Sequence, residues 1–166
     1  DDATYELTGS CGKVRITADG AHVTMPSATR LVVQGRGNTV VSDPIALLRV
    51  HGSDHRVTAD SVERLRMAAS DSAVRTGLLE RARVVADRAT VRARRIHDLV
   101  VRADASSVRA GRGYDARVEG DRNRLSFRRL ETVVVDGDHT TVRVRRARTE
   151  VRTAGRANDV SVNRRG

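Results

Sequence analysis

Aromatic residues and cysteine are nearly absent from this chain of 166 residues, and both shortages restrict its fold. The aromatic residues are Tyr5, Tyr114 and Phe127 alone. Because a rounded core normally relies on large rings, the abundant Val, Ala and Leu indicate thin, regularly layered packing instead. The single cysteine, Cys11, excludes an internal disulfide and a cysteine-based metal site.

Long hydrophobic runs are also missing. No apolar run reaches the roughly 18 residues that a transmembrane helix needs, so we expect no membrane span. Charged residues make up 31% of the chain, yet apolar residues recur throughout, which argues against disorder. The sequence opens Asp1-Asp2-Ala3 without methionine. We therefore expect a secreted or cell-surface protein whose signal peptide has been removed.

Basic charge is unevenly distributed between the two halves of the chain. The formal net charge is +10. Residues 1–83 hold eleven basic and ten acidic side chains, whereas residues 84–166 hold twenty and eleven. The positive charge is therefore concentrated in residues 84–166, which favours an anionic partner for that half.

A period of seventeen residues organises the sequence. Nine repeats, or coils, align when they start at Val14, Leu31, Leu48, Leu65, Ala82, Leu99, Ala116, Val133 and Val151, with one extra residue in the eighth. Position 10 of the nine coils is always a large aliphatic residue, and position 5 is always Gly or Ala. Positions 3 and 15 are mostly apolar. Residues 14–166 therefore form the repeat, and residues 1–13 are predicted to be an N-terminal cap or partial coil.

Alternation within each coil predicts the fold. Positions 1, 3 and 5 alternate with polar neighbours, as do positions 8, 10 and 12, and this period of two is typical of strands. Gly, Asp, Ser and Arg at positions 6 and 7 indicate a tight corner between them. A repeat of seventeen residues is too short for a helix-turn-helix unit. We predict an all-β, single-stranded parallel β-solenoid (β-helix) with about 4.8 Å between coils.

The clearest repeat units resemble a known family. Segment 31–40 reads LVVQGRGNTV, and its V-x-G-x-x-N-x-V pattern is similar to that of a bacterial secreted family catalogued as domain of unknown function 3060. Segment 7–14, LTGSCGKV, resembles that family's entry segment. Coils four to six replace the position-5 glycine with alanine and lose the asparagine. The resemblance implies an exported solenoid, and it carries no catalytic or binding residues.

Arginines recur at one edge of the predicted coil. Positions 13 and 14 supply Arg94, Arg95, Arg112, Arg128, Arg129, Arg145, Arg146 and Arg164, and position 11 adds Arg75, Arg92, Arg109 and Arg143. Stacked arginines repel one another by roughly 1 kcal/mol per pair in water. Such a row either keeps the surface solvated or binds an anion lying across it. The candidate partners are a nucleic acid, an anionic cell-wall polymer or an acidic protein surface.

Aspartates recur at position 6. Asp87, Asp104, Asp121 and Asp138 occupy successive coils, and Asp19 lies further back. Such a column could bind Ca²⁺ or act as an acid/base pair in a carbohydrate-active enzyme. Aspartate also favours turns because its carboxylate accepts hydrogen bonds from nearby backbone N–H groups. The absence of long loops beside the column favours the turn interpretation.

No residues specify a catalytic, cofactor or metal site. Of the five histidines, only His51 and His55 share a coil, with Asp54 between them, and a metal site there is a weak alternative. No serine has both a histidine and an acidic residue predictably beside it in the fold, so a hydrolase triad is unsupported. We therefore predict a non-catalytic structural or binding protein that needs no cofactor.

The ends of a solenoid carry unpaired backbone groups. Because few residues follow Val162, we expect no C-terminal cap. End-to-end stacking of coils would generate a filament by a non-closing contact. The leading prediction is an exported binding module that uses its C-terminal arginines. The alternatives are a self-assembling filament subunit and a carbohydrate-active enzyme.

Overall fold

The computed structural model describes residues 3–146 and 148–163, and within them the chain is all-β. The described strands belong to a single parallel sheet. In chain order they are β1 (Thr4–Glu6), β2 (Ser10–Ile16), β3 (His22–Met25), β4 (Ser27–Val33), β5 (Thr39–Ser42), β6 (Ile45–Ser53), β7 (Arg56–Ser70), β8 (Ala73–Val84), β9 (Thr90–Val101), β10 (Ser107–Glu119), β11 (Arg124–Asp136), β12 (Thr141–Val144), β13 (Glu150–Ala154) and β14 (Asp159–Val162).

Neighbouring strands pair with an offset of one coil. Val91 pairs with Val74 on one side and with Val108 on the other, seventeen residues away in each direction. In the eighth coil the offset becomes eighteen, since Thr132 pairs with Glu150. The predicted parallel β-solenoid of about nine coils is confirmed, and the extra residue lies where the alignment placed it.

Each coil is three-cornered. In the central coils one continuous strand runs from position 9 to position 3 of the next coil, as β9 does, and residues near positions 4–8 complete the turn. Inward and outward side chains alternate along each coil except where two outward residues follow one another. Those interruptions fall at positions 6–7, 13–14 and 16–17, and they form the three corners.

The core is a set of continuous internal columns, as predicted. At position 10, the residues of the first eight coils are at most 5% exposed: Val23, Val40, Val57, Val74, Val91, Val108, Leu125 and Val142. Phe127, at position 12, is the largest fully buried side chain. It fills the space next to Gly113, where a Cβ would lie 2.8 Å from its ring. Most of the other side chains in the columns are aliphatic, which explains how the chain folds with so few aromatic residues.

The corner at positions 6–7 depends on an unusual backbone conformation. Position 7 has a φ between 53° and 70° in all nine coils. Only two of these residues are glycines, Gly20 and Gly37. The others are Asp54, Asp71, Arg88, Ala105, Arg122, His139 and Ala157. Because this left-handed conformation costs L-residues energy, the stacked corners above and below must hold it in place.

A polar ladder runs inside the corner at position 8. The Oδ1 of Asn38 accepts a hydrogen bond from the backbone N–H of Ala21, one coil earlier, at 2.8 Å. Asn123 and Asn158 make the same contact with Ser106 and Thr140. These bonds satisfy buried N–H groups that the strands do not pair.

The two ends of the solenoid are exposed. At the N-terminal end β1 pairs with β3, and β2 pairs with β4, so residues 4–13 lie over the first full coil. At the other end every residue of β13 is exposed, although the equivalent residues of inner coils alternate between buried and exposed. The described part of the chain contains no helix able to cross a membrane.

Candidate functional site

The predicted arginines of positions 13 and 14 lie together at one corner of the solenoid. We call the described members the arginine edge: Arg94, Arg95, Arg112, Arg128, Arg129, Arg145 and Arg146. All seven are exposed. Arg164, the eighth predicted member, lies outside the described residues. The edge spans the fifth to the eighth coil, in the half of the chain where positive charge is concentrated.

Strand register stacks these arginines directly. Arg95 pairs with Arg112, and Arg112 pairs with Arg129. The position-11 arginines form a parallel row on the adjoining side, because Arg75 pairs with Arg92 and Arg92 with Arg109. Side chains in each row are therefore about 4.8 Å apart along the axis.

No arginine of the edge or of the position-11 row forms an ion pair with a described residue. Six ion pairs occur in the described part of the chain, and their arginines are Arg36, Arg81, Arg88, Arg102, Arg117 and Arg152. The described residues thus leave the positive charge of the edge without an ion-pair partner. An external anion would relieve the repulsion between neighbouring guanidinium groups.

Two shallow grooves run between the arginine side chains. Their volumes are about 490 and 550 Å³. Five arginines line the first groove and seven the second, with Arg94 and Arg128 common to both. Asp60, at the N-terminal end of the first groove, is the one acidic lining residue in the described part of the chain. The lining is therefore ten positive charges against one negative charge.

Two glycines form the floor of the grooves. At position 13, Gly77 and Gly111 alternate with Arg94 and Arg128. The side chain of Arg94 lies over Gly77, where a Cβ would be 2.8 Å from its Nη2 atom. At Gly111 a Cβ would be 2.7 Å from the backbone carbonyl oxygen of Arg94. The absence of side chains at these positions creates room between the guanidinium groups.

The grooves offer no exposed aromatic ring for stacking. Phe127 lines the second groove, but it is only 1% exposed. His97 and Tyr114 stack on each other, with ring centroids 4.6 Å apart, and neither lines these grooves. Since single-stranded nucleic acids are usually held by base stacking on aromatic rings, the edge is suited to charge recognition rather than to base recognition.

The aspartates of position 6 bind the backbone. The Oδ1 of Asp87, Asp104 and Asp121 each accepts a hydrogen bond from the backbone N–H of the next residue in the column, at 2.7–2.8 Å. Asp138 accepts from Arg156 in the same way. The contacts are those of turn-stabilising carboxylates, and they support the turn interpretation of this column.

A bidentate ion pair stabilises one corner. The guanidinium of Arg88 donates to both carboxylate oxygens of Asp71, one coil earlier, at 2.6 and 2.7 Å. These hydrogen bonds from Arg88 lower the pKa of Asp71, and the same contact raises the pKa of Arg88. Both side chains are solvent-exposed, so the pair is a surface feature of the fold.

The histidines that share a coil do not form a metal site. His55 is buried, its Nδ1 accepts a hydrogen bond from the backbone N–H of Asn38, and its Nε2 contacts the carbonyl oxygen of His51 at 2.8 Å. His55 is therefore a member of the position-8 ladder. Within the described residues, no group of three or more His, Cys, Asp or Glu side chains could hold a metal ion.

Part of the site was not predicted from the sequence. The repeat alignment identified the arginines, but it did not identify Gly77 and Gly111 as the groove floor or Asp60 as its acidic end. The available signal was the alternation of glycine and arginine at position 13, from Gly77 to Arg128.

Comparisons with protein-family models, curated proteins and solved structures find no match to this chain. The resemblance to the secreted family therefore stays a prediction.

Proposed function

We propose that this β-solenoid is a non-catalytic binding protein whose arginine edge holds a linear anionic polymer. The observation that carries the proposal is the set of ten groove-lining arginines with no ion pair to a described residue. Four coil steps separate Arg75 from Arg143, so the rows extend over about 20 Å along the axis. A polymer with closely spaced charges matches such a row better than a single small anion.

The chemistry of arginine indicates which anions suit the edge. The planar guanidinium binds carboxylate and phosphate groups through two parallel hydrogen bonds. The grooves are shallow and lack an exposed aromatic ring, so the ligand is recognised by its charge. The resemblance to an exported family supports a location at the cell surface or outside the cell. We therefore propose an anionic cell-wall or extracellular polymer rather than a nucleic acid.

Affinity measurements test this proposal. Long-chain polyphosphate, poly-glutamate and double-stranded DNA serve as probes, and the edge variant carries serine at Arg128, Arg129, Arg145 and Arg146. The control variant carries serine at four exposed arginines outside the edge, Arg56, Arg124, Arg148 and Arg156, so both variants lose the same charge.

We expect the edge variant to bind polyphosphate or poly-glutamate at least tenfold more weakly than the control variant. Preference for double-stranded DNA over both other probes would instead assign the edge to nucleic acid. Equal losses in the two variants would mean that net charge alone attracts the polymer, and the proposal would then fail.

A second candidate function is self-assembly by end-to-end stacking of coils. The exposed strands at both ends favour it, since Tyr5 of β1 is 51% exposed and Val151 of β13 is 38% exposed. In an inner coil the position of Val151 is fully covered, as it is at Val133. Electron microscopy at micromolar concentration checks this candidate, and a field of single short rods would exclude it.

A further inference from the structure

A second group of arginines lies on another side of the solenoid. Outward positions 17 and 2 flank the inward position 1, and in two successive coils they read Arg64-Leu65-Arg66 and Arg81-Ala82-Arg83. Leu65 and Ala82 are buried, whereas the four arginines are exposed. Since alternate residues of a strand point to the same side, the two arginines of each coil lie about 7 Å apart.

Strand pairing assembles these arginines into a compact patch. Arg64 pairs with Arg81, and Arg66 pairs with Arg83. Arg49 extends the second row, because it pairs with Arg66. With about 4.8 Å between coils, five guanidinium groups project from an area of about 10 by 7 Å. We call Arg49, Arg64, Arg66, Arg81 and Arg83 the second arginine surface.

Most of this charge is also uncompensated. Arg81 forms a long ion pair with Asp98, at 3.7 Å, and the other four arginines form none in the described part of the chain. Glu63 and Glu80 directly precede Arg64 and Arg81 in the sequence, but neither is within ion-pair distance of a described arginine.

Arg49 supplies an independent sign of a missing partner. Its Nε atom is buried and has no hydrogen-bond acceptor among the described residues. Buried polar groups in native proteins are nearly always paired, and an unpaired N–H group costs free energy. An anion bound beside Arg49 would place a negative charge next to a guanidinium whose Nε has no acceptor among the described residues.

A groove of about 630 Å³ runs along this surface. The five arginines line it together with Arg117 and with apolar side chains, among them Leu47 and Val134. Its acidic residues, Asp98 and Asp115, lie toward the C-terminal end. The positive part of the groove is therefore the stretch from Arg49 to Arg83, in the half of the chain whose net charge is close to zero.

Acidic residues separate the second arginine surface from the arginine edge. Position 16 lies between positions 14 and 17 along each coil, and it carries the exposed Glu63, Glu80 and Glu131, with His97 and Tyr114 in the fifth and sixth coils. A polyanion that followed the arginine edge would be repelled by these carboxylates before it reached position 17. The two surfaces are therefore suited to separate segments of polymer.

We infer that the second arginine surface binds a second segment of a phosphate- or carboxylate-bearing polymer, which makes the solenoid bivalent. A bivalent module links two polymer chains and gains affinity for dense polymer through effective concentration. The inference that the second surface binds polymer is supported by its own geometry, whereas the inference that the solenoid bridges two polymer chains rests on the proposed function of the arginine edge.

Light scattering on mixtures of the protein with long-chain polyphosphate tests this inference, and poly-glutamate in a parallel arm distinguishes carboxylate from phosphate. The protein is kept at a concentration at which sedimentation shows a monomer, so that end-to-end assembly does not contribute. The second-surface variant carries serine at Arg64, Arg66, Arg81 and Arg83. The edge variant and the control variant described above complete the set, and circular dichroism verifies that each one is folded.

We expect the wild-type protein and the control variant to cross-link polymer and to raise the scattering. The second-surface variant should bind polymer but lose the rise in scattering. If the quadruple variant does not fold, Arg66→Ser with Arg83→Ser should give the same loss. If the second-surface variant cross-links polymer as well as the control variant does, the inference is overturned, but the proposed role of the arginine edge is not. If the edge variant binds polymer as tightly as the wild-type protein and the second-surface variant loses binding, the proposed function of the arginine edge is overturned instead.

Discussion

The backbone N–H of Asp121 donates a hydrogen bond of 2.8 Å to the Oδ1 of Asp104, its equivalent one coil earlier. This contact gives the aspartate column a structural role. Asp104→Ala removes the acceptor, and we expect it to lower the free energy of unfolding by about 1–2 kcal/mol. Asp104→Asn keeps a carbonyl oxygen at the same place and should cost less. Chemical denaturation of both variants measures the difference.

The carbohydrate-active alternative makes a different prediction for the same variants. A glycan-degrading activity that Asp104→Asn or Asp121→Asn abolished, without a change in stability, would contradict the structural role of the column. If the role of the column is structural, these substitutions change the stability of the protein and abolish no glycan-degrading activity.

The internal columns predict a large contrast between inward and outward positions. Val91 is fully buried between Val74 and Val108, and Val91→Asp should destabilise the protein by at least about 3 kcal/mol because it buries an unpaired charge. Arg124→Ser, at the exposed position 9 of the seventh coil, should change the stability by no more than about 0.5 kcal/mol. Thermal or urea unfolding measures both, and equal effects would contradict the assignment of inward and outward residues.

The floor of the grooves depends on a close backbone contact. A Cβ at Gly111 would lie 2.7 Å from the carbonyl oxygen of Arg94, so we expect Gly111→Ala to destabilise the protein by about 1–3 kcal/mol through overpacking. Gly12→Ala is the matched control, because a Cβ there would have no atom within 4 Å. Urea denaturation compares the two, and a Gly111→Ala variant as stable as the control would mean that the strands at this corner can separate.

The ion pair of Asp71 and Arg88 predicts a small pH dependence of stability. Hydrogen bonding to Arg88 holds the pKa of Asp71 below its ordinary value in the folded state. The unfolded chain therefore takes up the proton at a higher pH than the folded protein does. The stabilisation is fully present above the ordinary carboxyl pKa of about 4. It is lost as the pH falls through the lower pKa of the folded state.

Comparison with Asp71→Asn isolates this contribution. The wild-type protein should unfold at a slightly higher urea concentration than the variant at pH 7, and this difference should shrink to zero in acid. A difference that persisted at a pH well below the folded pKa of Asp71 would show that packing of the side chain, rather than its charge, is responsible.

The columns could be predicted from the sequence alone because the same pattern of inward residues occurs in each of the nine seventeen-residue repeats. Val91 and Val108 could be recognised as inward without knowledge of any contact, since every coil carries a large aliphatic residue there. The corner was harder to predict. Arg88 and Ala105 adopt the left-handed backbone conformation without being glycine, and only the stacked corners on either side show why that conformation is tolerated.

The arginine edge was predictable residue by residue, but its surroundings were not. Spacing placed Arg95, Arg112 and Arg129 in one column, whereas the lack of ion pairs is a property of three-dimensional neighbours. The second arginine surface was not detected when net charge was compared between the two halves of the chain, because the acidic residues around Arg64 and Arg81 balance their charge. Those acidic residues lie mostly on other positions of the coil, so the sum concealed a local patch.

The dependence of polymer binding on salt tests the central proposal most directly. Each positive side chain that replaces counterions on a nucleic-acid phosphate adds about 0.7–0.9 to the slope of log affinity against log salt concentration, and polyphosphate should behave in a similar way. Serine at Arg128, Arg129, Arg145 and Arg146 should therefore reduce the slope for polyphosphate by about 3. Serine at Arg56, Arg124, Arg148 and Arg156 should leave it nearly unchanged. Equal slopes for the two variants would show that the arginine edge is not where the polymer binds.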